Sequence, residues 1–233
     1  MTPPAARVAP RGFFVTGTDT GVGKTLACCA LLRGFAARGK SVIGMKPVAA
    51  GAVHGAQGLI NADVTQLRAA ANVDMPLALV NPYCFEPPIA PHIAAAQAGI
   101  AIDLARIVHA FNQLAAAADV VIVEGAGGFC VPLNRSEDSA DLVEYLGLPV
   151  ILVVGVRLGC LNHALLTAQA IRARKLELAG WIANCIDPTM AVAKQNITAL
   201  AARLAAPLLG EMDFAVVPDI QRLAAAFDLS TLA

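Results

Sequence analysis

Apolar residues along this chain fall into short unbroken runs separated by longer Ala- and Leu-rich segments. That alternation predicts the architecture. The runs at 12–16, 41–45, 120–123, 150–154 and 178–183 have strand length and no polar alternation, as expected of strands buried on both faces. Between them, 24–38, 63–71, 92–97, 102–118, 141–146 and 161–174 read as helices, the first closed by Arg38-Gly39. A further strand is predicted at 79–85. Lys46-Pro47 opens a Gly-rich loop through Gly58, and the prolines from Pro87 to Pro91 break the chain ahead of the helix at 92. Strands with two apolar faces need helices on both sides, so the prediction is a three-layer α/β fold around a mostly parallel sheet. Ligands on such sheets gather beyond the carboxyl ends of the strands, so chemistry is sought in the residues that follow each run.

The first run is followed by Gly17-Thr18-Asp19-Thr20-Gly21-Val22-Gly23-Lys24-Thr25, and then by the first helix. A strand, a glycine loop and a helix in that order point backbone N–H groups and a positive helix end at one polyphosphate. Lys24 would reach the terminal phosphates and Thr25 would ligate Mg²⁺. Counting back from Gly23, Thr18 stands where the first glycine of the usual pattern belongs and Gly17 comes one residue early, so this is a P-loop with one extra residue. The run at 120–123 ends on Glu124-Gly125-Ala126-Gly127-Gly128. A carboxylate there cannot stay in the core uncompensated, and at that edge it faces the metal, which makes Glu124 a Mg²⁺ ligand candidate. Asp63 by itself reads first as a helix-start cap. Lys46, closing the second run, is either a solvated strand-end lysine or a second ammonium for phosphoryl transfer to an anionic acceptor.

Composition narrows the partners. The 233 residues suit one large domain, expected over 12–233, with a loose Pro- and Ala-rich tail over 1–11 that lacks the apolar core of a signal peptide. Lys and Arg (17) balance Asp and Glu (17) with no basic run, which argues against nucleic acid or anionic membrane as partners. No stretch holds the roughly 18 unbroken apolar residues of a membrane span, so a soluble, cytoplasmic protein is expected. Cys28, Cys29, Cys84, Cys130, Cys160 and Cys185 form no CxxC pair and are expected as buried free thiols.

Taken together, seven segments resemble the dethiobiotin synthetase family. They are GTDTGVGKT at 17–25, MKPVAAG at 45–51, NPYCFEPPIAPHIAA at 81–95, VEGAGG at 123–128, LPVILVVGVRLGCLNHALLT at 148–167, GWIAN at 180–184 and APLLGE at 206–211. The resemblance implies a P-loop NTPase-type fold and an ATP- and Mg²⁺-dependent cyclo-ligase. Its reaction, the penultimate step of biotin biosynthesis, turns 7,8-diaminononanoate (7,8-diaminopelargonate) and CO₂ into dethiobiotin with release of ADP and phosphate. The implied route runs through a carbamate and a mixed carbamic–phosphoric anhydride. Carried over by position, Lys24, Lys46 and Thr20 are catalytic, and Thr25, Asp63 and Glu124 hold Mg²⁺. The nucleotide meets Thr20, Gly21, Val22, Gly23, Lys24, Thr25, Glu124, Asn184 and Cys185, with Asn184 reading the adenine edge. The substrate meets Lys46, Ala50 and Gly127, and in a homodimer its carboxylate is held by Leu158, Gly159, Cys160 and Asn162 of the other subunit.

This chain departs from the family pattern at Ala50, where a Ser or Thr is usual, at Ala90, which replaces a serine before Pro91-His92, and after Glu211, where Met212-Asp213-Phe214 follows. His92 is expected as a packed loop residue, and His54, His109 and His163 as loop or helix-surface residues. Two other classes fit less well. A MinD/ParA-like switch ATPase would carry a lysine near the start of its loop and a basic amphipathic tail, where this chain has Thr18-Asp19-Thr20 and an unremarkable segment 219–233. A cobyrinate-type amidotransferase domain would need a glutaminase partner domain.

Overall fold

The structure is a computed structural model describing residues 12–56 and 58–232; the tail expected over 1–11 lies outside the described residues. In chain order it begins with β1 (Gly12–Gly17), α1 (Lys24–Ala37), β2 (Val42–Met45), β3 (Val48–Ala50), β4 (Val53–Gly55), β5 (Gly58–Ile60) and α2 (Ala62–Ala70). There follow α3 (Leu77–Val80), β6 (Tyr83–Phe85), α4 (Pro91–Gln97), α5 (Leu104–Ala117), β7 (Val120–Glu124) and α6 (Ser139–Leu146). The last part contributes β8 (Val150–Gly155), α7 (Cys160–Ala173), β9 (Leu178–Asn184), α8 (Ala193–Ala201), β10 (Leu208–Met212), α9 (Ile220–Ala226) and a 3₁₀ turn at Ser230–Leu232.

The predicted runs build one sheet in the order β10-β9-β8-β1-β7-β2, with every pairing parallel. Successive residues of β1 show why it is apolar throughout. Phe13 and Val15 pack into one cluster with α1, while Phe14 points into the opposite cluster with Ile107, Phe111 and Leu114 of α5. Helix α1 is itself buried nearly all round, because it lies against the sheet on one side and meets α2 and α9 on the other. Helix α5 packs against β7 by one face only, and buries a stripe of Leu104, Ile107, Phe111 and Leu114 at helical spacing.

Two expectations about secondary structure are corrected. The strand predicted at 79–85 is a helical turn, α3, followed by the short β6. The break falls at Asn81-Pro82, where proline removes a donor and holds its predecessor out of the helical region, while buried Asn81 donates to the carbonyls of Lys46 (2.6 Å) and Tyr83 (2.9 Å). The Gly-rich stretch after Lys46 is not all loop, because its main-chain groups find partners: β3 pairs parallel with β6, and β4 pairs antiparallel with β5. Beyond residue 183, where the pattern offered no assignment, α8, β10 and α9 extend the sheet edge and cap α1.

All six cysteines are free. Cys28, Cys29 and Cys160 are buried, and burial pushes the Cys29 thiol up to about 12. Cys130 corrects the expectation of buried thiols: it is exposed, because it lies in the glycine-rich connection after β7 and not in a core element. Among the described residues no helix is long and apolar enough to cross a membrane.

Candidate active site

Strand order makes the site. Because β1, β7 and β2 are neighbours, the loop after Gly17, the carboxylate of Glu124 and the lysine after Met45 emerge side by side at one sheet edge. The loop 18–23 leads into α1, whose first turn has no acidic residue and no side-chain cap. Its free N–H groups are therefore available to an anion. Gly23 enters the helix at φ 85°, and a Cβ there would lie 2.1 Å from Asn184 Nδ2, so only glycine fits. The extra residue also has a structural reason. Thr18 N–H donates to the Val153 carbonyl (3.0 Å) and Thr18 Oγ1 accepts from Gly155 N–H (3.3 Å), continuing the contact of β1 with β8 for one more residue.

Lys46 is the hub. Its buried ammonium donates to Glu124 Oε1 at 2.5 Å and to Asp63 Oδ2 at 2.9 Å. Burial works against the charge on Lys46, but the two carboxylates outweigh it and hold its pKa above the ordinary lysine value. Burial likewise works against the Asp63 carboxylate, yet Lys46 keeps its pKa below the usual range. Thr25 Oγ1 donates to Glu124 Oε1 at 2.9 Å. Lys24 Nζ folds back onto the Asp19 carbonyl at 3.1 Å, and burial, then the nearby charge of Lys46, lower its pKa.

The sequence reading missed two asparagines that hold this arrangement. Asn61 caps α2 by accepting from Asp63 N–H (3.0 Å) and Val64 N–H (3.3 Å), and donates to the Ala50 carbonyl at 3.1 Å. It thereby sets Asp63 against the end of β3. Asn81 braces the Lys46 main chain, as described above. The signals were an Asx cap two residues before Asp63 and an Asn-Pro pair closing a helical turn.

A cavity of about 760 Å³ is lined by the phosphate loop and by Lys46, Ala50, Asp63, Glu124 and Gly127, with residues 88–91 closing one wall. Thr20, Gly21, Gly23, Lys24 and Thr25 all face it. Val22 does not: its side chain is in the core, and its carbonyl accepts from Asn184 Nδ2 at 2.9 Å. Gly127 sits at φ 66°, and a Cβ there would crowd Val131 and come within 3.4 Å of Thr20 Oγ1. Asn184 and Cys185 lie at the end of β9 behind the loop and outside the cavity, with Cys185 N–H donating to the Met212 carbonyl.

The turn Leu158, Gly159, Cys160 and Asn162 is not brought to the cavity of its own chain. Leu158 is 93% exposed and Asn162 is exposed, while the Cys160 side chain is in the core. His92 is half-buried with an unpartnered Nδ1, and His54, His109 and His163 are exposed.

A divalent cation fits the donor set. Glu124 Oε2 is buried without a hydrogen-bond partner, and Thr25 Oγ1 and Asp63 supply further hard oxygen donors beside it. Among the described residues no group of three His, Cys, Asp or Glu side chains is placed for a metal. Hydroxyl and phosphate oxygens would complete the shell, as suits Mg²⁺.

A family profile described as an AAA domain matches residues 11–221. Solved structures share the fold at low identity: a MinD cell division protein from Aquifex aeolicus (TM-score 0.55, 15% identity, 92% of this chain and 85% of that one), and a ParA family ATPase from Chlorobium tepidum TLS (TM-score 0.53, 15% identity, 93% and 90%). Sequence relatives separate the chain from those neighbours. The ATP-dependent dethiobiotin synthetase of Nitrosospira multiformis is 57% identical over 95% of this chain and 96% of its own. The enzymes of the same name from Aromatoleum aromaticum (56%, covering 94% and 98%) and Ralstonia nicotianae (51%, covering 94% and 96%) match over similar lengths. With these matches spanning the phosphate loop, the Lys46 hub and the whole parallel sheet, the chain belongs to the ATP-dependent dethiobiotin synthetase family.

Proposed function

We propose that this cavity carries out ATP-dependent closure of a cyclic urea: 7,8-diaminononanoate and CO₂ give dethiobiotin, with ATP cleaved to ADP and phosphate. The observation that carries the reading is the Lys46 ammonium, held between two carboxylates in the same cavity as an uncapped helix start and a second lysine. The loop N–H groups and Lys24 hold the triphosphate, for which Lys24 exchanges the Asp19 carbonyl for phosphate oxygen. Mg²⁺ held by Thr25, Asp63 and Glu124 would neutralise charge on the β- and γ-phosphates. One amine of the substrate adds to CO₂ and loses a proton, giving a carbamate. A carbamate oxygen attacks the γ-phosphorus and ADP leaves. The second amine then attacks the carbamoyl carbon, closing the ring and expelling phosphate. Lys46 steadies the carbamate and the transferring phosphoryl group, two anions that otherwise repel each other. Thr20, beside Gly127, presents its hydroxyl on the substrate side of the loop.

Asn184 donates one amide N–H to the Val22 carbonyl, and its carbonyl oxygen accepts from the exocyclic amine of adenine; Cys185 contributes main chain only. Leu158, Gly159, Cys160 and Asn162 serve the cavity of a second copy in a homodimer, a reading supported by the exposure of Leu158 and Leu166. We read the enzyme as cytoplasmic. Incubation with ATP, Mg²⁺, bicarbonate and the diamino acid is expected to yield dethiobiotin by mass spectrometry, one ADP per product, and no product with Lys24→Ala. ATP hydrolysis without dethiobiotin would overturn the reading.

A further inference from the structure

Asp19 is an awkward residue for a loop that receives a polyanion. It lines the cavity, and its carboxylate brings negative charge to the place where phosphates must come. It also orders the loop at two points. Oδ1 accepts from Thr20 N–H at 2.7 Å, and its main-chain carbonyl accepts from Lys24 Nζ at 3.1 Å. The remaining oxygen, Oδ2, meets Arg157 Nη2 at 2.7 Å. Arg157 lies in the turn between β8 and α7, next to the residues that Thr18 already ties to the loop.

We propose that Arg157 is a positioning residue for the triphosphate, acting through Asp19: it neutralises the carboxylate and holds Oδ2 on the α7 side, so that Asp19 orders Thr20 and Lys24 without repelling the ligand. This rests on the reading of residues 17–25 as the ATP site. Both side chains are 45% exposed, so the pair adds little to the stability of the fold. Its effect falls on ligand charge instead. Without Arg157 an unpaired carboxylate faces the incoming phosphates, a repulsion that salt screens.

The test compares Arg157→Ala, Arg157→Lys, Asp19→Asn and the double variant Arg157→Ala/Asp19→Asn by initial rates against ATP, at low and raised ionic strength, alongside melting temperatures. Arg157→Ala is expected to raise the ATP KM about three- to fivefold, the scale of a half-exposed ion pair, with kcat within about twofold. Its defect should shrink as salt rises, and Arg157→Lys should recover most of the loss. Asp19→Asn in the Arg157→Ala background should return the ATP KM towards the parent, because the unpaired charge is gone; alone, it should lower the KM. A merely structural pair predicts the opposite, a double variant as poor as the worse single. An unchanged ATP KM in Arg157→Ala, or a rise of more than about threefold in Asp19→Asn, would overturn the inference. Lys24→Ala separates the two levels. If it abolishes turnover while the Arg157 variants are silent, only the role of Arg157 fails; if it stays active, the ATP site itself is misplaced.

Discussion

Replacing Lys46 by Met removes the cation shared by two carboxylates while keeping the length of the aliphatic chain. Lys46 and Glu124 have side chains 6% and 1% exposed, so this half of the cluster is a buried pair, and taking away one partner of such a pair costs about 3–5 kcal/mol. The Asp63 half adds little, because that side chain is 38% exposed and water replaces the lost contact. Glu124 keeps only the Thr25 hydroxyl, so the lower end of that range applies. A loss of about 3 kcal/mol follows, or roughly 6–12 °C in Tm for a chain of this size.

Thermal unfolding in metal-free buffer tests that figure. Adding Mg²⁺ gives a second, sharper reading: with two uncompensated carboxylates waiting, Lys46→Met should gain more in Tm from Mg²⁺ than the parent does. In single-turnover assays the variant should bind ATP but form product about 10²-fold more slowly or worse, the scale of losing one oriented charge in a transition state. A Tm unchanged in metal-free buffer, together with an equal response to Mg²⁺, would refute the charge coupling. A defect confined to ATP affinity would assign Lys46 to the nucleotide and not to the acceptor.

Glu124→Gln keeps the shape and loses the charge, so the Mg²⁺ concentration needed for half-maximal rate should rise several-fold while Mg²⁺-free nucleotide binding, followed by calorimetry, stays near the parent; an unchanged Mg²⁺ titration would make Glu124 structural. Asp141 closes the capping box of α6 with Asp138 and pairs with Arg174 at 2.6 Å, and the Asp138 N–H, then Arg174, hold its carboxyl below the usual range. Stability from this group is therefore present above the ordinary value of 3.8 and lost as pH falls through the lower folded value, so Asp141→Asn should cost about 1 kcal/mol at pH 7 in urea unfolding and nothing once the parent carboxyl is protonated. A cost that persists at low pH would trace the effect to packing. If each cavity is completed by the Leu158–Asn162 turn of a second copy, mixing Lys24→Ala with Asn162→Ala chains should restore one intact site per heterodimer, and turnover no better than the average of the parents under proven subunit exchange would exclude the shared site.

Much of the site was legible because its chemistry is local. A glycine loop between a strand and a helix offers N–H groups at its end, and Gly21, Gly23, Lys24 and Thr25 line the cavity. Glu124 was legible for a different reason: a carboxylate ending a buried strand has to find compensation. Asp63 and Lys46 were ambiguous as single residues, since a helix-start acid and a strand-end lysine each have a bland explanation. What the structure adds is that the two lie 2.9 Å apart, a contact that depends on Asn61 tying α2 to β3 and on Asn81 holding the Lys46 main chain. These are contacts between segments that no local pattern relates. The order of the strands was hidden for the same reason. Parallel pairing requires long crossovers, and a run that is apolar on both faces carries no mark of its neighbour. The break at Asn81-Pro82 could have been read, because proline after a short apolar run argues against a continuous strand.

The structural likeness to ParA and MinD proteins shows what the shared sheet does and does not determine. This strand order places the loop after β1 beside the ends of β7 and β2. What happens to the phosphate depends on side chains that the sheet merely positions. Here a second lysine is buried between two acids, in a cavity walled at Ala50, Gly127 and residues 88–91. The loop also begins with Thr18-Asp19-Thr20 in place of a lysine, and its acid is answered from the α7 turn by Arg157. In the proposed reaction that ammonium would stabilise transfer to a small anion in a way that a loop closing on the nucleotide alone does not. On the proposed reading, ligation on this scaffold rests on where Lys46 sits, and removing that one charge is expected to cost ring closure while ATP stays bound.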